Sequence, residues 1–397
     1  MADGSKYLEL GVDVRKSGVE FFKRLVEEVY PHAFASIIKD DRFGEGLILH
    51  VDGAGSKPVI SYLYFRETGD VRWFRGLAQD VVAMNVDDVV TVGAEPILFA
   101  DYIAINPLNL PRLEVLKELS VGFKEVLNFL STSSCNLSRK FRLLFAGGET
   151  ADLPDQVRTL DVVGVVFATV DLSKAISGDG VAAGDVIVGL RSGGRAKFEK
   201  FENSGIMCNG LTLARHSLLT GEYALRYPEV CEPSSDRKYY GRFRVDDYLD
   251  ELRMTVGEAL LSPTRIYAPI IAEVLEKCGS AVKGLVHNTG GGLTKILRVG
   301  LNVRYVKDSL PPPDPIFLLI QREGKVGWRE MYEVFNMGVG FEFIVDRECA
   351  EDVISICDRF GVDAYIIGRV EKGVAQYNEL IIRSDYGDFA YRRRLKV

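Results

Sequence analysis

Acidic residues set among glycines, at three places in the first 150 residues, constrain this chain more than any other feature. The acids are Asp52, Asp80, Asp87, Asp88 and Glu149. Gly53 and Gly148 stand beside two of them, and glycine lets the backbone approach a ligand closely. Carboxylates bind divalent cations that in turn hold phosphates, and the nearby Lys57 offers a point charge for phosphate. The pattern therefore predicts a magnesium–nucleotide site.

Three of these acids fall in one segment, residues 75–93, which predicts a helix ending at Gly93. Asp80, Asp87 and Asp88 then share a face, because residues seven and eight apart lie on the same side of a helix. Asp80 and Asp88 would be about 12 Å apart along the axis, which suits two ions or two ends of a polyphosphate. Apolar residues cover the rest of the helix, so we expect it to be buried with a compensating cation. The alternative is a surface helix with a solvated acidic face.

Composition and charge narrow the class of protein. The 397 residues suffice for two domains, and a net charge of -7 with a pI of about 5.4 argues against a nucleic-acid partner. The longest apolar run, residues 162–170, is too short to cross a membrane, and residues 1–10 lack a signal-peptide pattern. Six scattered cysteines without a C-x-x-C pair predict reduced thiols and no zinc site. We therefore expect a cytoplasmic protein with no membrane or nucleic-acid partner.

Periodicity divides the chain into two units at the turn-rich segment 171–184. The predicted domains are residues 1–175 and residues 176–397, with an insertion near residues 222–251. In the first unit the pattern predicts strands at residues 46–51, 97–105, 142–145 and 160–170 and helices at residues 75–93 and 113–130. In the second it predicts strands at residues 185–190, 282–286, 364–370 and 380–383 and helices at residues 211–219, 264–277 and 349–360. The apolar strand 160–170 would leave an aggregation-prone edge unless another chain covered it.

Nine motifs, in order, resemble one family along almost the whole chain. They are residues 11–13 (GVD), 52–57 (DGAGSK), 80–96, 147–152 (GGETAD), 184–190, 261–267, 287–293 (HNTGGGL), 331–340 (MYEVFNMGVG) and 367–369. The chain is similar to the aminoimidazole ribonucleotide (AIR) synthetases, the phosphoribosylformylglycinamidine cyclo-ligases. The resemblance implies an α+β, mixed α/β fold of two domains. The N-terminal sheet would contribute to a barrel shared in a homodimer, and the C-terminal domain would be an α/β sandwich.

The resemblance also implies the chemistry. Such enzymes use ATP and Mg²⁺ to phosphorylate the formamide oxygen of formylglycinamidine ribonucleotide, after which an internal nitrogen closes the imidazole ring and phosphate leaves. Catalysis would come from positioning and charge neutralisation. The resemblance implies that His287 and Asp88 are catalytic and that the metal ligands are Asp52, Asp88 and Glu149. The residues it implies for the ATP site are Asp52, Gly53, Lys57, Asp80, Asp87, Gly148, Glu149 and Asn209. The residues it implies for the substrate site are Gly290, Gly291, Asn336 and Gly338.

The histidines differ in setting. His287 precedes three glycines, so its imidazole should lie beside open backbone amides that suit a developing anion. The alternative is a structural histidine at the end of a strand. His32, His50 and His216 lack such a setting, and we expect them to be structural.

Two departures from the family pattern leave other functions open. Met207 stands where the family loop carries a histidine, and the loop ahead of it is longer, which together with the insertion indicates a long-loop subgroup. One alternative is another ATP-dependent enzyme of the superfamily, such as a thiamine-monophosphate kinase. The other is a nucleotide-binding paralogue without catalysis. The presence of every expected carboxylate argues against the second.

Overall fold

The computed structural model describes residues 5–14, 16–23, 25–133, 142–234, 236 and 238–395; Cys135 lies outside them. The helices are α1 (Lys6–Glu9), α2 (Val19–Lys23), α3 (Lys57–Thr68), α4 (Gly76–Val90), α5 (Arg112–Ser133), α6 (Leu211–Leu218), α7 (Glu222–Arg226), α8 (Val256–Leu261), α9 (Ala268–Cys278), α10 (Pro315–Gly324), α11 (Trp328–Val334) and α12 (Ala350–Phe360). The strands are β1 (Ile38–Lys39), β2 (Gly46–Gly53), β3 (Glu95–Ile105), β4 (Leu144–Asp152), β5 (Leu160–Val170), β6 (Val186–Arg191), β7 (Gly193–Gly194), β8 (Asn203–Ser204), β9 (Tyr248–Leu249), β10 (Met254–Thr255), β11 (Val282–His287), β12 (Val303–Lys307), β13 (Val339–Val345), β14 (Ala364–Lys372), β15 (Tyr377–Ser384) and β16 (Gly387–Arg394). No helix in these ranges is long and apolar enough to cross a bilayer.

The first sheet has five strands in the order β1-β2-β5-β3-β4, with β3 and β4 parallel and the other pairs antiparallel. Along β5 buried and half-buried residues alternate, as expected for a strand with one face on a core. Helix α4 packs on the inner face, and α5 packs against α4, with its Phe123 ring 5.4 Å from that of Phe99 on β3. The expectation that residues 160–170 form an exposed edge is wrong, because β5 lies between β2 and β3. Apolar side chains are exposed instead on the outer face, where Leu49 is 68% and Val51 57% accessible.

The second sheet has seven strands in the order β11-β13-β6-β14-β12-β15-β16. Its neighbours are antiparallel except for β12 and β15. Strand β13, second from one edge, is buried along its whole length, and α9 packs against α12 beside the sheet. Both sheets with their helices give the mixed α/β architecture that the sequence predicts.

The predicted elements match the observed ones where periodicity is strong. Helix α4 begins at Gly76, and thirteen of its fifteen residues are buried, so the surface-helix alternative is wrong. Strand β4 continues through Gly147 and Gly148, although the sequence pattern ends the predicted strand at residue 145. Pro269 lies in the first turn of α9 and begins the helix without disturbing it, since its missing amide hydrogen is not needed there.

The insertion ties the second unit to α3 of the first. Glu67, only 4% exposed, forms ion pairs with Arg226 at 3.0 Å and with Arg244, and accepts a hydrogen bond from the Tyr227 hydroxyl at 2.6 Å. These contacts join residues 222–251 to α3 of the first unit.

The expectation that all cysteines are reduced thiols is wrong for two of them. Cys278, at the end of α9, and Cys349, beside the start of α12, form a disulfide with Cα atoms 6.4 Å apart. The two residues are 71 positions apart in sequence, so no local pattern could reveal the pair. Cys208, Cys231 and Cys357 are free.

Candidate active site at the domain boundary

Asp88 forms the centre of a buried polar cluster between the two units. It lies on α4, and its Oδ1 accepts a hydrogen bond from Nδ1 of His287, on β11, at 2.7 Å. Its Oδ2 is 3.4 Å from Nε2 of His50, on β2, and 3.9 Å from Nζ of Lys295. Burial opposes ionisation of Asp88, but the charge of Lys295 and the bonds from both histidines hold its pKa well below the usual range. Asp88 is therefore a carboxylate at neutral pH.

Of the two ring nitrogens of His287, Nδ1 is hydrogen-bonded to Asp88 and Nε2 has no hydrogen-bond partner among the described residues. Because Asp88 is ionised, Nδ1 carries the proton and Nε2 keeps a lone pair. Nε2 is buried and has no hydrogen-bond partner among the described residues, and burial lowers the pKa of His287. Buried polar atoms normally have partners. A neutral imidazole held by a carboxylate, with its lone pair free, is arranged to accept a proton from a ligand.

His50 belongs to this cluster, contrary to the expectation that it is only structural. Its Nδ1 donates to Oδ1 of Asn85 at 3.0 Å, since the Asn85 amide nitrogen already donates to the carbonyls of Asp52 and Val81. Burial opposes protonation, but the hydrogen bond and charge of Asp88 outweigh it and raise the pKa of His50. The sequence did contain evidence for this position of His50. His50 and Asp52 are two residues apart in one strand, so their side chains lie on the same face.

Lys295 places a cation beside the open glycine loop. It is buried, its Nζ donates to the hydroxyl of Thr289, and it lies 4.9 Å from the centre of the Phe34 ring. Burial lowers its pKa to about 8. Gly290 is exposed, with nothing within 4 Å of where a side chain would begin, and a Cβ at Gly291 would lie 3.5 Å from the Lys295 side chain. The predicted substrate residues Gly290 and Gly291 thus offer bare backbone next to a cation.

Lys57 has a different position from the predicted one. It is the first residue of α3 and fully buried, and its Nζ donates to Oδ1 of Asp80 and to the carbonyl of Ser262, both at 2.7 Å. The same Asp80 oxygen accepts from the amide and hydroxyl of Thr264 at 2.8 and 2.7 Å. Lys57 and Asp80 are each the counter-ion of the other, while Oδ2 of Asp80 is buried without a hydrogen-bond partner among the described residues. The structure therefore gives this pair a structural contact and leaves no free ammonium for phosphate.

Asp87 also faces protein atoms. Its two oxygens accept hydrogen bonds from the backbone amides of Tyr267 and Ala268 at 2.9 to 3.1 Å, at the start of α9. Burial raises the pKa of Asp87 well above the usual range in spite of these amides. Asp87 therefore anchors a helix of the second unit, while the neighbouring Asp88 serves the cluster.

The three predicted metal ligands do not converge. Among the described residues, Asp52, Asp88 and Glu149 form no group within ion-binding distance. Glu149 lies on β4, three strand spacings from β2, or roughly 14 Å. It is also on the outer face, since it is paired with Tyr102, whose ring is 37% exposed. The pleat of β4 thus directs Glu149 away from Asp88.

Asp101 is a carboxylate that the sequence motifs did not indicate. The register places Asp52, Gly164, Asp101 and Gly148 in one row across four strands, so Asp52 and Asp101 share the inner face. A Cβ at Gly148 would lie 1.7 Å from Oδ1 of Asp101, so the carboxylate rests on bare backbone. Burial raises the pKa of Asp101. The sequence feature that could have indicated Asp101 is an acidic residue inside a largely apolar strand.

Asp52 and Asp101 offer carboxylate oxygens, the ligand type that Mg²⁺ prefers, on one face of the first sheet. Both are half-buried, and neither has a lysine or arginine partner among the described residues. Two strand spacings separate them, about 10 Å, and the side chains of Val81 and Asn85 on α4 fill the space over Gly164 between them, so each carboxylate would hold a cation separately. The amide of Gly53 donates to Oδ1 of Asp52 at 2.8 Å and orients that carboxylate.

The remaining predicted residues shape the second unit's loops. Asn209 donates to the carbonyl of Asn288 at 3.3 Å, and its buried Oδ1 has no partner within the described part of the chain. Asn336 donates to the carbonyl of Gly205 at 3.0 Å and accepts from the amide of Gly338 at 2.7 Å, so both hold a tight turn. Met207 is fully buried, with a left-handed φ of 56°, and packs against Gly340.

The sequence matches one protein family along most of its length. The family model described as AIR synthase related protein, N-terminal domain, matches residues 35–170, and that of the C-terminal domain matches residues 182–377. Phosphoribosylformylglycinamidine cyclo-ligase of Methanocaldococcus jannaschii is 37% identical over 324 residues, 82% of this chain and 78% of the relative. That of Methanococcus maripaludis is 34% identical over 383 residues, 91% of this chain and 93% of the relative.

Solved structures share the fold at low identity. Thiamine monophosphate kinase from Aquifex aeolicus has a TM-score of 0.53 at 15% identity, covering 95% of this chain and 99% of that one. A chain of a HypE–HypF complex has a TM-score of 0.53 at 16% identity, covering 95% and 98%. At such identities the likeness concerns the fold alone.

Proposed function

The chain belongs to the AIR synthase related protein family, and from that premise we propose that it is an ATP-dependent cyclo-ligase. It converts formylglycinamidine ribonucleotide to 5-aminoimidazole ribonucleotide and releases ADP and phosphate, a step of purine biosynthesis. The observation that carries the proposal is the pairing of Asp88 with His287, whose buried Nε2 has no partner among the described residues.

The residues of the cluster have distinct roles in this reaction. After ATP phosphorylates the formamide oxygen, a nitrogen of the substrate attacks the activated carbon and must lose a proton as the ring closes. Nε2 of His287 accepts that proton, and Asp88 stabilises the resulting imidazolium. Lys295 and the bare amides of Gly290 and Gly291 neutralise charge on the departing phosphate.

We place ATP at the edge of the inner face of the first sheet, where α4 leaves Asp52 and Asp101 half-buried. Asp52 and Asp101 would hold Mg²⁺, whose charge neutralises the phosphate oxygens during transfer. Support comes from the bare backbone at Gly148 and from the absence, among the described residues, of a lysine or arginine in direct ion-pair contact with either carboxylate, while the charge of Asp52 also acts on Lys295. Asn209 borders the same cleft, since it bonds to the residue after His287.

The proposal includes a homodimer in the cytoplasm. Exposed Leu49, Val51 and Tyr102 make the outer face of the first sheet apolar, and a second copy would cover it. Glu149 lies on that same face and would enter the interface. A reaction that consumes ATP and builds a purine precursor suits the cytoplasm. Light scattering measures the mass directly, and a monomer would contradict the dimer.

The experiment is a coupled assay on purified protein. We expect ADP release only when formylglycinamidine ribonucleotide is present, with one aminoimidazole ribonucleotide formed per ADP. Thiamine monophosphate serves as the control substrate, because the thiamine monophosphate kinase shares the fold. Equal turnover with thiamine monophosphate, or ADP release without ring formation, would overturn the proposal.

A further inference from the structure

Arg215 is a buried cation whose side chain has unpaired donors. It lies on α6, is 7% exposed, and its Nε and Nη1 have no hydrogen-bond partner among the described residues. The other buried side-chain atoms without partners in this part of the chain are acceptors, a hydroxyl and the His287 nitrogen. A buried carboxylate or histidine can change protonation, but a guanidinium cannot. An unpaired buried charge is among the costliest features a fold can hold.

The described surroundings of Arg215 supply no counter-charge. Four groups have pKa values that respond to its charge: Tyr7, His216, Cys231 and Tyr239. Burial raises the pKa of Tyr7 and of Tyr239 to about 12, raises that of the Cys231 thiol, and lowers that of His216 to about 3. All four are therefore neutral at pH 7. The Tyr239 ring lies 6.0 Å from the guanidinium carbon and closes one side.

The position of Arg215 connects it to the candidate active site. Thr212, three residues earlier on α6 and so on the same face, has its hydroxyl 2.9 Å from that of Ser56. Ser56 belongs to the glycine-rich loop between Asp52 and Lys57, and α1, which carries Tyr7, packs on α6 as well. Arg215 thus lies where the second unit, α1 and the glycine-rich loop meet.

We propose that Arg215 binds a phosphate group of one of the enzyme's ligands in a fork of two hydrogen bonds. A guanidinium presents donors in a planar geometry that matches phosphate oxygens, and a phosphate would supply the missing acceptors and counter-charge. Two sources share this chemistry: the ribose phosphate of the substrate and the polyphosphate of ATP. The identification of the phosphate as that of the ribonucleotide or of ATP rests on the proposed function, whereas the presence of an anion site at Arg215 does not.

The first arm of the test compares Arg215→Gln and Arg215→Lys with the wild type in steady-state kinetics. We expect the KM of one ligand to rise at least about tenfold in Arg215→Gln, with kcat within about threefold of the wild type. The same KM should rise less in Arg215→Lys, because lysine keeps the positive charge and loses only the two-pronged hydrogen bonding of the guanidinium. A raised KM for the ribonucleotide identifies the ribose phosphate, and a raised KM for ATP identifies the polyphosphate. The control is Arg322→Gln on α10, which packs on α6; Arg322 is half-exposed and paired with Glu251 at 2.6 Å.

The second arm needs no turnover. Inorganic phosphate and tripolyphosphate are titrated by calorimetry into the full-length wild type and the same variants. We expect binding to the wild type and to Arg322→Gln, and at least about tenfold weaker binding to Arg215→Gln; if that variant does not fold, Arg215→Lys decides. Phosphate binding by a protein that does not form the imidazole ring would refute the proposed function but would support the anion site at Arg215. Unchanged KM values together with unchanged anion binding in the variants would overturn the site.

Discussion

The carboxylate of Asp88 accepts a hydrogen bond from Nδ1 of His287 at 2.7 Å, and this bond joins a helix of the first unit to a strand of the second. Neither unit alone contains the pair. His50 approaches the same carboxylate from β2, so three elements meet at one buried charge. The proposed chemistry therefore depends on the relative position of the two units as well as on the residues themselves.

Lys57 and Asp80 should affect stability and not phosphate binding. Lys57→Met leaves the fully buried Asp80 without its counter-ion, so we expect a loss of about 3–5 kcal/mol in urea denaturation. The double variant Lys57→Met/Asp80→Leu should lose less, because no charge remains unpaired. A Lys57→Met protein as stable as the wild type but with a raised KM for ATP would show that the lysine contacts phosphate.

Glu67 should hold the insertion against the first unit. Glu67→Gln removes the charge that Arg226 and Arg244 share, and we expect a loss of about 1–3 kcal/mol and faster proteolysis within residues 222–251. Glu251→Gln is the matched control, because its pair with Arg322 is half-exposed and should contribute less than about 1 kcal/mol. Equal effects of the two substitutions would contradict the role of the insertion.

His216 should make the protein acid-sensitive. It is buried, its Nδ1 accepts a hydrogen bond from the Tyr239 amide at 3.0 Å, and burial lowers its pKa to about 3. The unfolded chain, with an ordinary histidine pKa of about 6.5, binds the proton more readily, so stability falls as pH drops below about 6.5. The slope from this residue is at most about 1.4 kcal/mol per pH unit. Calorimetric unfolding at pH 7 and pH 5 should show a smaller difference in His216→Asn, and an unchanged difference would contradict the assignment.

The sequence predicted the buried acidic helix, but not the protein groups that Asp80 and Asp87 contact. Helix α4 follows from apolar periodicity and the stop at Gly93, which are local signals. Whether Asp87 or Asp88 faces a ligand depends on the docking of α9 and β11, which no local pattern records. Lys57 resembled a phosphate lysine because it follows glycines, but as the first residue of α3 it turns inward to Asp80.

Strand parity could have found more of the site than motif matching did. His50 lies two residues before Asp52, so the same face of β2 carries both. Asp101 lies in an apolar strand whose partner row contains Gly148. Arg215 gave no signal, since a single arginine on a helix is usually solvated, and only its burial without an acid singles it out.

The most direct test compares Asp88→Asn with Asp87→Asn, since the two carboxylates are adjacent on one helix. Asp88→Asn weakens the orientation of His287 and leaves the buried Lys295 without its counter-charge, so we expect a loss of stability and, for the folded protein, a fall in kcat for ring formation of at least about 100-fold. Asp87→Asn turns an amide donor toward the Tyr267 amide, so we expect a loss of about 1–3 kcal/mol in stability and a kcat within about threefold of the wild type. Wild-type ring formation by Asp88→Asn, or loss of activity in a fully stable Asp87→Asn, would contradict the assignment of Asp88 to the active site.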